Sequence, residues 1–230
     1  MNHKESQDLM FNVVRDKSVL KQDVFNNIIL NFKILKQVLK EIADDLNSRI
    51  AAVDERIIVE YKETGEFEAK VRFAGDLLIF QMHSNVFKFD KENALWKTKY
   101  LEENENRGYC GIINMYNFLN DSFKYNRQND LGYLVGRLFV NYENHFMVEG
   151  KRQLGFLYND FSTNTLDKAQ LKSIIQSAII YCLDFDLLVP GYDIVKEVSV
   201  RDINQIIDDS RIRTGKRLGF VFNSNSDKVD

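Results

Sequence analysis

Apolar residues near the N-terminus recur with the period of an α-helix. From residue 19 to about residue 50 they are spaced three and four positions apart, with Lys, Asp, Glu and Asn between them: Leu20, Val24, Ile28, Leu35, Val38, Leu39, Ile42 and Leu46. This spacing predicts one long amphipathic helix of about 45 Å at 1.5 Å per residue. Such a helix either lies across its own sheet or pairs with a partner chain, and the pattern leaves both interpretations open.

Strict alternation of apolar and charged residues follows. Between residues 66 and 73 the apolar positions are Phe67, Ala69, Val71 and Phe73, and the charged ones are Glu66, Glu68, Lys70 and Arg72. A period of two predicts a strand that is buried on one face. Residues 57–63, 77–83 and 86–90 are also strand-like, and the intervening pairs suit tight hairpin turns: Thr64-Gly65, Gly75-Asp76 and Ser84-Asn85. Four antiparallel strands in a meander are therefore predicted.

The second half of the chain predicts more strands and then helices. Residues 97–107 and 120–130 are expected to be loops, and residues 108–118, 131–141, 145–149 and 153–158 to be strands. Thr165 is the predicted N-cap of a helix that ends near Asp184. Pro190-Gly191 marks a turn, Ser199 and Asp202 resemble a capping box for a helix through Ile207, and residues 218–222 form a last strand.

Together these elements predict an α+β fold, in which an antiparallel multi-stranded sheet is packed by the long N-terminal helix and by C-terminal helices. We expect one domain over residues 19–222. It is flanked by a flexible N-terminal segment, residues 1–18, and by a flexible tail, residues 223–230.

Composition and charge narrow the class of protein. The 230 residues are 44% hydrophobic and 28% charged, which is typical of a globular chain with a sizeable core. A net charge of −3 gives no general attraction to nucleic acid or to anionic membrane. Two cysteines, Cys110 and Cys182, cannot build a disulfide framework. With neither a signal-peptide pattern nor a membrane span, the expected location is the cytoplasm.

Familiar catalytic motifs are absent from the sequence. It contains no His-Glu-x-x-His or Cys-x-x-Cys zinc pattern, no glycine-rich phosphate loop and no Gly-x-Ser-x-Gly elbow. These absences favour a non-enzymatic cytoplasmic protein without a cofactor. Its sheet and helices would bind a protein partner or a ligand, and its long helix would form a homodimer. A small-molecule sensor with a pocket between sheet and helices is a further hypothesis.

One constellation provides an enzymatic alternative. Asp130 precedes an apolar strand, and Glu149-Gly150-Lys151 ends the next one; this arrangement resembles the PD-(D/E)xK nuclease signature, although Asn129 stands where that family usually has proline. The resemblance implies that Asp130 and Glu149 hold Mg²⁺ and that Lys151 either orients the attacking water or stabilises developing charge at the phosphate. The same Glu-x-Lys spacing also occurs at residues 60–62 and 68–70, and residues 150–152 equally suit a hairpin turn.

Four cations close to the C-terminus form a candidate anion-binding or partner-binding cluster: Arg211, Arg213, Lys216 and Arg217. Such a cluster contacts phosphates or an acidic partner, or it is simply a solvated segment that follows a helix. We expect a protein partner or self-association, with nucleic acid as the alternative that the net charge disfavours, and no membrane.

Overall fold

The computed structural model describes residues 3–128, 130–184, 187–188, 199–201 and 220–221. A long N-terminal helix, a seven-stranded antiparallel sheet and a C-terminal helix dominate the molecule, so the α+β prediction is confirmed. The helices are α1 (His3–Ala51), α2 (Lys99–Glu103), α3 (Asn120–Lys124), α4 (Gln153–Leu157) and α5 (Lys168–Leu183). The strands of the sheet are β1 (Val59–Gly65), β2 (Glu68–Phe73), β3 (Asp76–Met82), β4 (Phe87–Lys88), β5 (Tyr109–Leu119), β6 (Tyr133–Asn141) and β7 (Phe146–Gly150).

The sheet has the order β1-β2-β3-β5-β6-β7, and all of its strand pairs are antiparallel. The short strand β4 does not pair with β3, as a four-stranded meander requires. It pairs with β5 at Phe87 and Cys110, beyond the last β3–β5 pair, Met82 and Ile113. The long β5 therefore borders β3 and β4 in succession. Two further short strands, β8 (Leu187–Leu188) and β9 (Phe220–Val221), pair in parallel.

The helix α1 begins at His3, not at Val19 as the periodicity predicts. The chain has no glycine or proline before Gly65, so nothing in the sequence interrupts a helix that starts early. Its 49 residues extend about 73 Å at 1.5 Å per residue. Whether residues 1–18 are flexible, and where the domain ends, stay predictions.

The inner face of the sheet packs against α1 and α5. Ala69, Val71 and Phe73 point into this core, as the alternation predicts. The helices contribute buried stripes: Ile28, Phe32, Leu35, Val38, Leu39 and Ile42 from α1, and Leu171, Ile174, Ile175, Ala178, Ile179 and Cys182 from α5. The first stripe shows that α1 does cross its own sheet.

The outer face of the sheet is partly covered by residues 87–108. A second, smaller core lies there, built on Leu101, Cys110 and Phe161. Within the described part of the chain, no helix has the length and apolar character that a membrane crossing needs.

The two edges of the sheet differ. The outer edge of β7 is occupied, because Phe146 N donates to Asn164 O at 3.0 Å and Val148 N donates to Tyr158 O at 2.7 Å. The opposite edge is β1, where Glu60, Lys62 and Glu63 are exposed.

Several predicted elements need correction. Residues 153–157 form a helix, α4, instead of the strand predicted over residues 153–158, because the close packing of Gly155 against the Gly150 carbonyl turns the chain there. Residues 97–107 are not a plain loop, since Asn93 and Asn104 cap short 3₁₀ turns on either side of α2. The predicted loop 120–130 likewise contains α3. The N-cap of α5 is Asp167, not Thr165; its carboxylate accepts a hydrogen bond from Gln170 N at 2.7 Å.

Other predictions fall largely on residues outside the described ranges. These are the turn at Pro190-Gly191, the helix from Ser199 to Ile207 beyond residue 201, and the tail 223–230. The strand β9 lies within the predicted strand 218–222.

Candidate interaction surface

The first part of α1 makes no buried contact with the rest of the molecule. No residue from Glu5 to Asp23 is buried, and Val24 is the first buried position of the helix. We call residues 5–23 the projecting segment; at 1.5 Å per residue it spans about 28 Å. Six large apolar side chains are exposed on it, and five of them cluster between residues 9 and 14: Leu9 (50%), Met10 (60%), Phe11 (65%), Val13 (43%) and Val14 (64%). A cluster of this kind is typical of an interaction surface.

The exposed cluster continues the face of α1 that is buried farther along the helix. Met10 lies eighteen residues, or five turns of 3.6 residues, before Ile28, so the two side chains point in the same direction. The same interval separates Val14 from Phe32, and both Ile28 and Phe32 are buried against the sheet. The projecting segment thus presents the core-forming face of α1 without a sheet to cover it.

Two lysines share that face. Lys21 lies eleven residues after Met10 and Lys17 lies seven after it, about three and two helical turns respectively, so both side chains flank the apolar cluster. Glu5 lies near the other end of the segment. The charges along the segment are therefore unequal: residues 5–13 carry two acidic residues and no basic one, whereas residues 14–23 carry three basic and two acidic residues.

Asparagines fix α1 to the sheet just after the projecting segment. Asn27 Nδ2 donates to Asn141 O at 2.6 Å and to Asn144 Oδ1 at 2.8 Å, and Asn31 Nδ2 donates to the same Oδ1 at 2.8 Å. Asn144 lies in the β6–β7 turn with a φ of 64°, a left-handed conformation that asparagine tolerates better than most residues. These bonds hold the helix at a defined angle where it leaves the sheet.

A polar network continues behind this anchor. Asn141 is fully buried; its Nδ2 donates to Tyr100 Oη at 2.9 Å, and its Oδ1 accepts from the backbone amides of Glu143 and His145. Tyr100 Oη donates to Glu143 Oε2 at 2.8 Å, and Arg107 Nε lies 3.0 Å from the same oxygen. The Tyr100 ring stacks on His145 at 4.4 Å between centroids.

The pKa shifts in this network follow from its contacts. Burial raises the pKa of Tyr100. Burial also pushes the pKa of Glu143 upward, but hydrogen bonds from Tyr100 and Arg107 outweigh that effect and hold the pKa below its ordinary value. Each polar group thus has partners within the network. The arrangement suits a rigid support for the β6–β7 turn.

The structure separates the residues of the nuclease-like signature into two ion pairs. Asp130 lies between α3 and β6, where its Oδ2 accepts from Ser122 Oγ at 2.6 Å and lies 2.9 Å from Arg127 Nε. Glu149 is paired in register with Arg137 on β6, and its Oε2 lies 2.9 Å from Arg137 Nη1. Lys151 is exposed just after β7.

Among the described residues, no group of three or more His, Cys, Asp or Glu side chains is placed to hold a metal ion. The predicted turn at residues 150–152 does follow β7, but it leads into α4. The cationic cluster Arg211, Arg213, Lys216 and Arg217 lies outside the described residues.

The periodicity predicted the long helix but not the exposed cluster on it. Leu9 and Val14 fall within residues 1–18, for which the sequence predicts a flexible segment. The signal that could have identified it is the eighteen-residue register of Met10 with Ile28 and of Val14 with Phe32. The chain matches no protein-family model, and it shows no significant similarity to a curated protein or to a solved structure.

Proposed function

We propose that this protein is a non-enzymatic cytoplasmic interaction protein, and that its projecting segment pairs with the same segment of a second copy. The observation that carries the proposal is the exposure of Met10 and Val14 in helical register with the buried Ile28 and Phe32. Burial of such side chains contributes roughly 1.5–3 kcal/mol each, which is enough to drive association when several are shared between two helices.

The geometry of α1 favours an antiparallel pair. From Val24 onward the apolar face of the helix is covered by the chain's own sheet, so a second helix has access only to residues 5–23. In an antiparallel pair centred near Val13, Glu5 of one copy lies level with Lys21 of the other. Neither projecting segment therefore extends over the part of the partner helix that the sheet covers, which begins at Val24. In a parallel pair, the two sheets lie at the same end of the paired helices, where they crowd each other.

The charges of the segment favour the same orientation. A parallel pair places Lys17 beside Lys17 and Lys21 beside Lys21, and both of these contacts are repulsive. An antiparallel pair centred near Val13 instead places the lysines of the two copies at opposite ends of the pair, so that neither Lys17 nor Lys21 meets its own copy. The lysines of one copy then lie level with the start of its partner's segment, where the charged residues are Glu5 and Asp8.

The first experiment measures molecular mass by light scattering at micromolar concentration. We expect twice the chain mass of 27.0 kDa for the unaltered protein, and the mass of a single chain for Met10→Glu/Val14→Glu. The matched control is Asn12→Glu/Val19→Glu, which adds the same two charges. Val19 is apolar, 53% exposed and about two and a half turns from Met10, so it lies on the opposite side of the helix.

The control variant is expected to keep the doubled mass. A single-chain mass for the unaltered protein at its solubility limit would overturn the proposal. A doubled mass for Met10→Glu/Val14→Glu would show that copies associate through another surface.

Cysteine cross-linking tests the orientation. Both native cysteines are buried, so an introduced thiol reports on its own position. Val13 lies near the centre of the antiparallel pair, and Val13→Cys is therefore expected to form a disulfide-linked dimer on mild oxidation. Lys21→Cys is not expected to do so. Cross-linking of both variants would instead establish a parallel pair.

A further inference from the structure

A cation-lined groove lies on the outer face of the sheet, on the side away from α1. The residues at β1 and β2 form its floor and α3 closes one side, leaving a cavity of about 270 Å³. Four of its lining side chains carry a positive charge and one, Glu60, is acidic; the cations are Lys62, Lys70, Arg72 and Lys124. This balance is opposite in sign to the net charge of the whole chain, −3.

Two of these cations face each other across the strands. Lys62 of β1 is the register partner of Lys70 of β2, and like charges in directly opposed positions destabilise a sheet. Lys70 has a partner, because its Nζ lies 2.8 Å from Glu68 Oε1. Lys62 is exposed, and no carboxylate oxygen of the described residues lies within 4.0 Å of its Nζ. The repulsion is therefore only partly relieved within the chain.

The other two cations hold defined positions around the cavity. Arg72 is the register partner of Glu60, and its Nε donates to Ala74 O at 3.1 Å, which orients the guanidinium group. The ammonium group of Lys124 lies 4.9 Å from the centroid of the Tyr125 ring. Neither cation forms an ion pair within 4.0 Å among the residues that the structure describes.

The walls of the groove supply further features of a binding site. Leu77, only 7% exposed, lies at its base, and the Phe123 ring stands over the Lys70 ammonium at 4.8 Å. The side chain of Asn120 adds a hydrogen-bonding group, whereas the Thr64 hydroxyl already donates to Glu68 Oε1 at 2.6 Å. The volume is below the range of about 300–1,000 Å³ that is usual for drug-sized ligands, so the groove suits a small anion.

We propose that this groove binds a phosphate or pyrophosphate group between Lys62, Lys70, Arg72 and Lys124. A bound phosphate offsets the repulsion between Lys62 and Lys70, and it pairs the charges that have no carboxylate partner. The phosphate belongs either to a small free anion or to a nucleic-acid backbone. This inference does not depend on pairing of the projecting segment, which lies on a different element.

The experiment titrates the full-length protein with sodium pyrophosphate in a calorimeter at constant ionic strength. We expect saturable binding, and we expect an affinity at least about tenfold lower for Lys62→Gln/Lys124→Gln because two charge-assisted contacts are lost. The matched control, Lys33→Gln/Lys97→Gln, removes two exposed lysines outside the groove and is expected to keep the affinity of the unaltered protein.

A second titration uses a single-stranded oligonucleotide of mixed sequence. If it displaces pyrophosphate and is weakened by the same groove variant, the phosphate source is a nucleic-acid backbone; if only pyrophosphate binds, the source is a small anion. The absence of saturable binding for both probes would overturn the proposal. An equal loss of affinity in the control variant would also overturn it, because binding would then follow net charge alone.

The stability of the folded protein provides a test that does not depend on calorimetry. Without an anion, Lys62→Gln is expected to raise the midpoint of urea unfolding, because it removes a repulsive cross-strand pair. Pyrophosphate is expected to raise the midpoint of the unaltered protein but not that of Lys62→Gln/Lys124→Gln.

Discussion

Gly111 and Ile28 are in such close contact that a Cβ atom added to Gly111 would lie 2.6 Å from Ile28 Cβ. Gly111 is on β5 and Ile28 is on α1, so the missing side chain sets the distance between helix and sheet. Both Cγ atoms of Ile28 would also lie 2.8 Å away. No rotation of the Ile28 side chain relieves that overlap, because Cβ itself is involved.

Gly111→Ala is therefore expected to lower the free energy of unfolding by about 1–3 kcal/mol, as overpacking of a core typically does. Urea denaturation followed by circular dichroism measures this change. The control is Gly65→Ala, since no atom lies within 4 Å of a Cβ added there. Equal stability of both variants would mean that α1 is free to move away from β5.

Asn144 supports a second prediction, because it combines a left-handed φ with two hydrogen bonds to α1. Asn144→Gly keeps the backbone conformation but loses the bonds, and we expect it to cost about 1–3 kcal/mol of unfolding free energy. Asn144→Ala loses the bonds and also strains the backbone, which costs roughly 1–2 kcal/mol more. The same loss for both variants in urea denaturation would contradict the role of the left-handed conformation.

A third prediction concerns the pH dependence of stability. The pKa of Glu143 is lowered in the folded state, so this carboxylate stabilises the fold above its unfolded-state pKa of about 4.3. That contribution is lost as the pH falls through the lower folded-state pKa. We expect Glu143→Gln to reduce the fall in unfolding free energy between about pH 5 and pH 3. Urea midpoints across this range measure it, and an unchanged pH dependence would contradict it.

The reactivity of the thiols provides a fourth prediction. Cys110 and Cys182 are each 1% exposed, and burial raises the pKa of Cys110. A thiol that is both inaccessible and protonated does not act as a nucleophile. We expect neither cysteine to react with a chromogenic disulfide reagent in the native protein, and both to react in urea. Rapid reaction of either native thiol would show that its core opens readily.

The inner face of the sheet could be predicted from the sequence because its chemistry alternates in a short stretch of chain. Ala69, Val71 and Phe73 are 0%, 1% and 4% exposed, and each is separated from the next by one charged or polar residue. The buried stripe on α1 could be predicted for the same reason, because its residues are close together in the chain. Periods of two and 3.6 residues determine which side chains share a face, without knowledge of the rest of the fold.

Other elements depend on contacts that periodicity does not contain. The position of β4 beside β5 is set by pairing of Phe87 with Cys110, between segments that are distant in the chain. The helix α4 depends on the close approach of Gly155 to Gly150. The apolar pattern of this segment is typical of a strand and gives no sign of that contact. The groove depends on the register that places Lys62 opposite Lys70, and register is a property of two strands together.

The two edges of the sheet have a consequence for how the protein behaves at high concentration. The ladder positions of β7 are occupied by Tyr158 O and Asn164 O, and the exposed side of β1 carries Glu60, Lys62 and Glu63. A further strand would have to displace the hydrogen bonds at the β7 edge, or remove water from the charged side chains at the β1 edge. Fibril growth by strand addition is thereby disfavoured at both ends, although the core of the molecule is a continuous sheet.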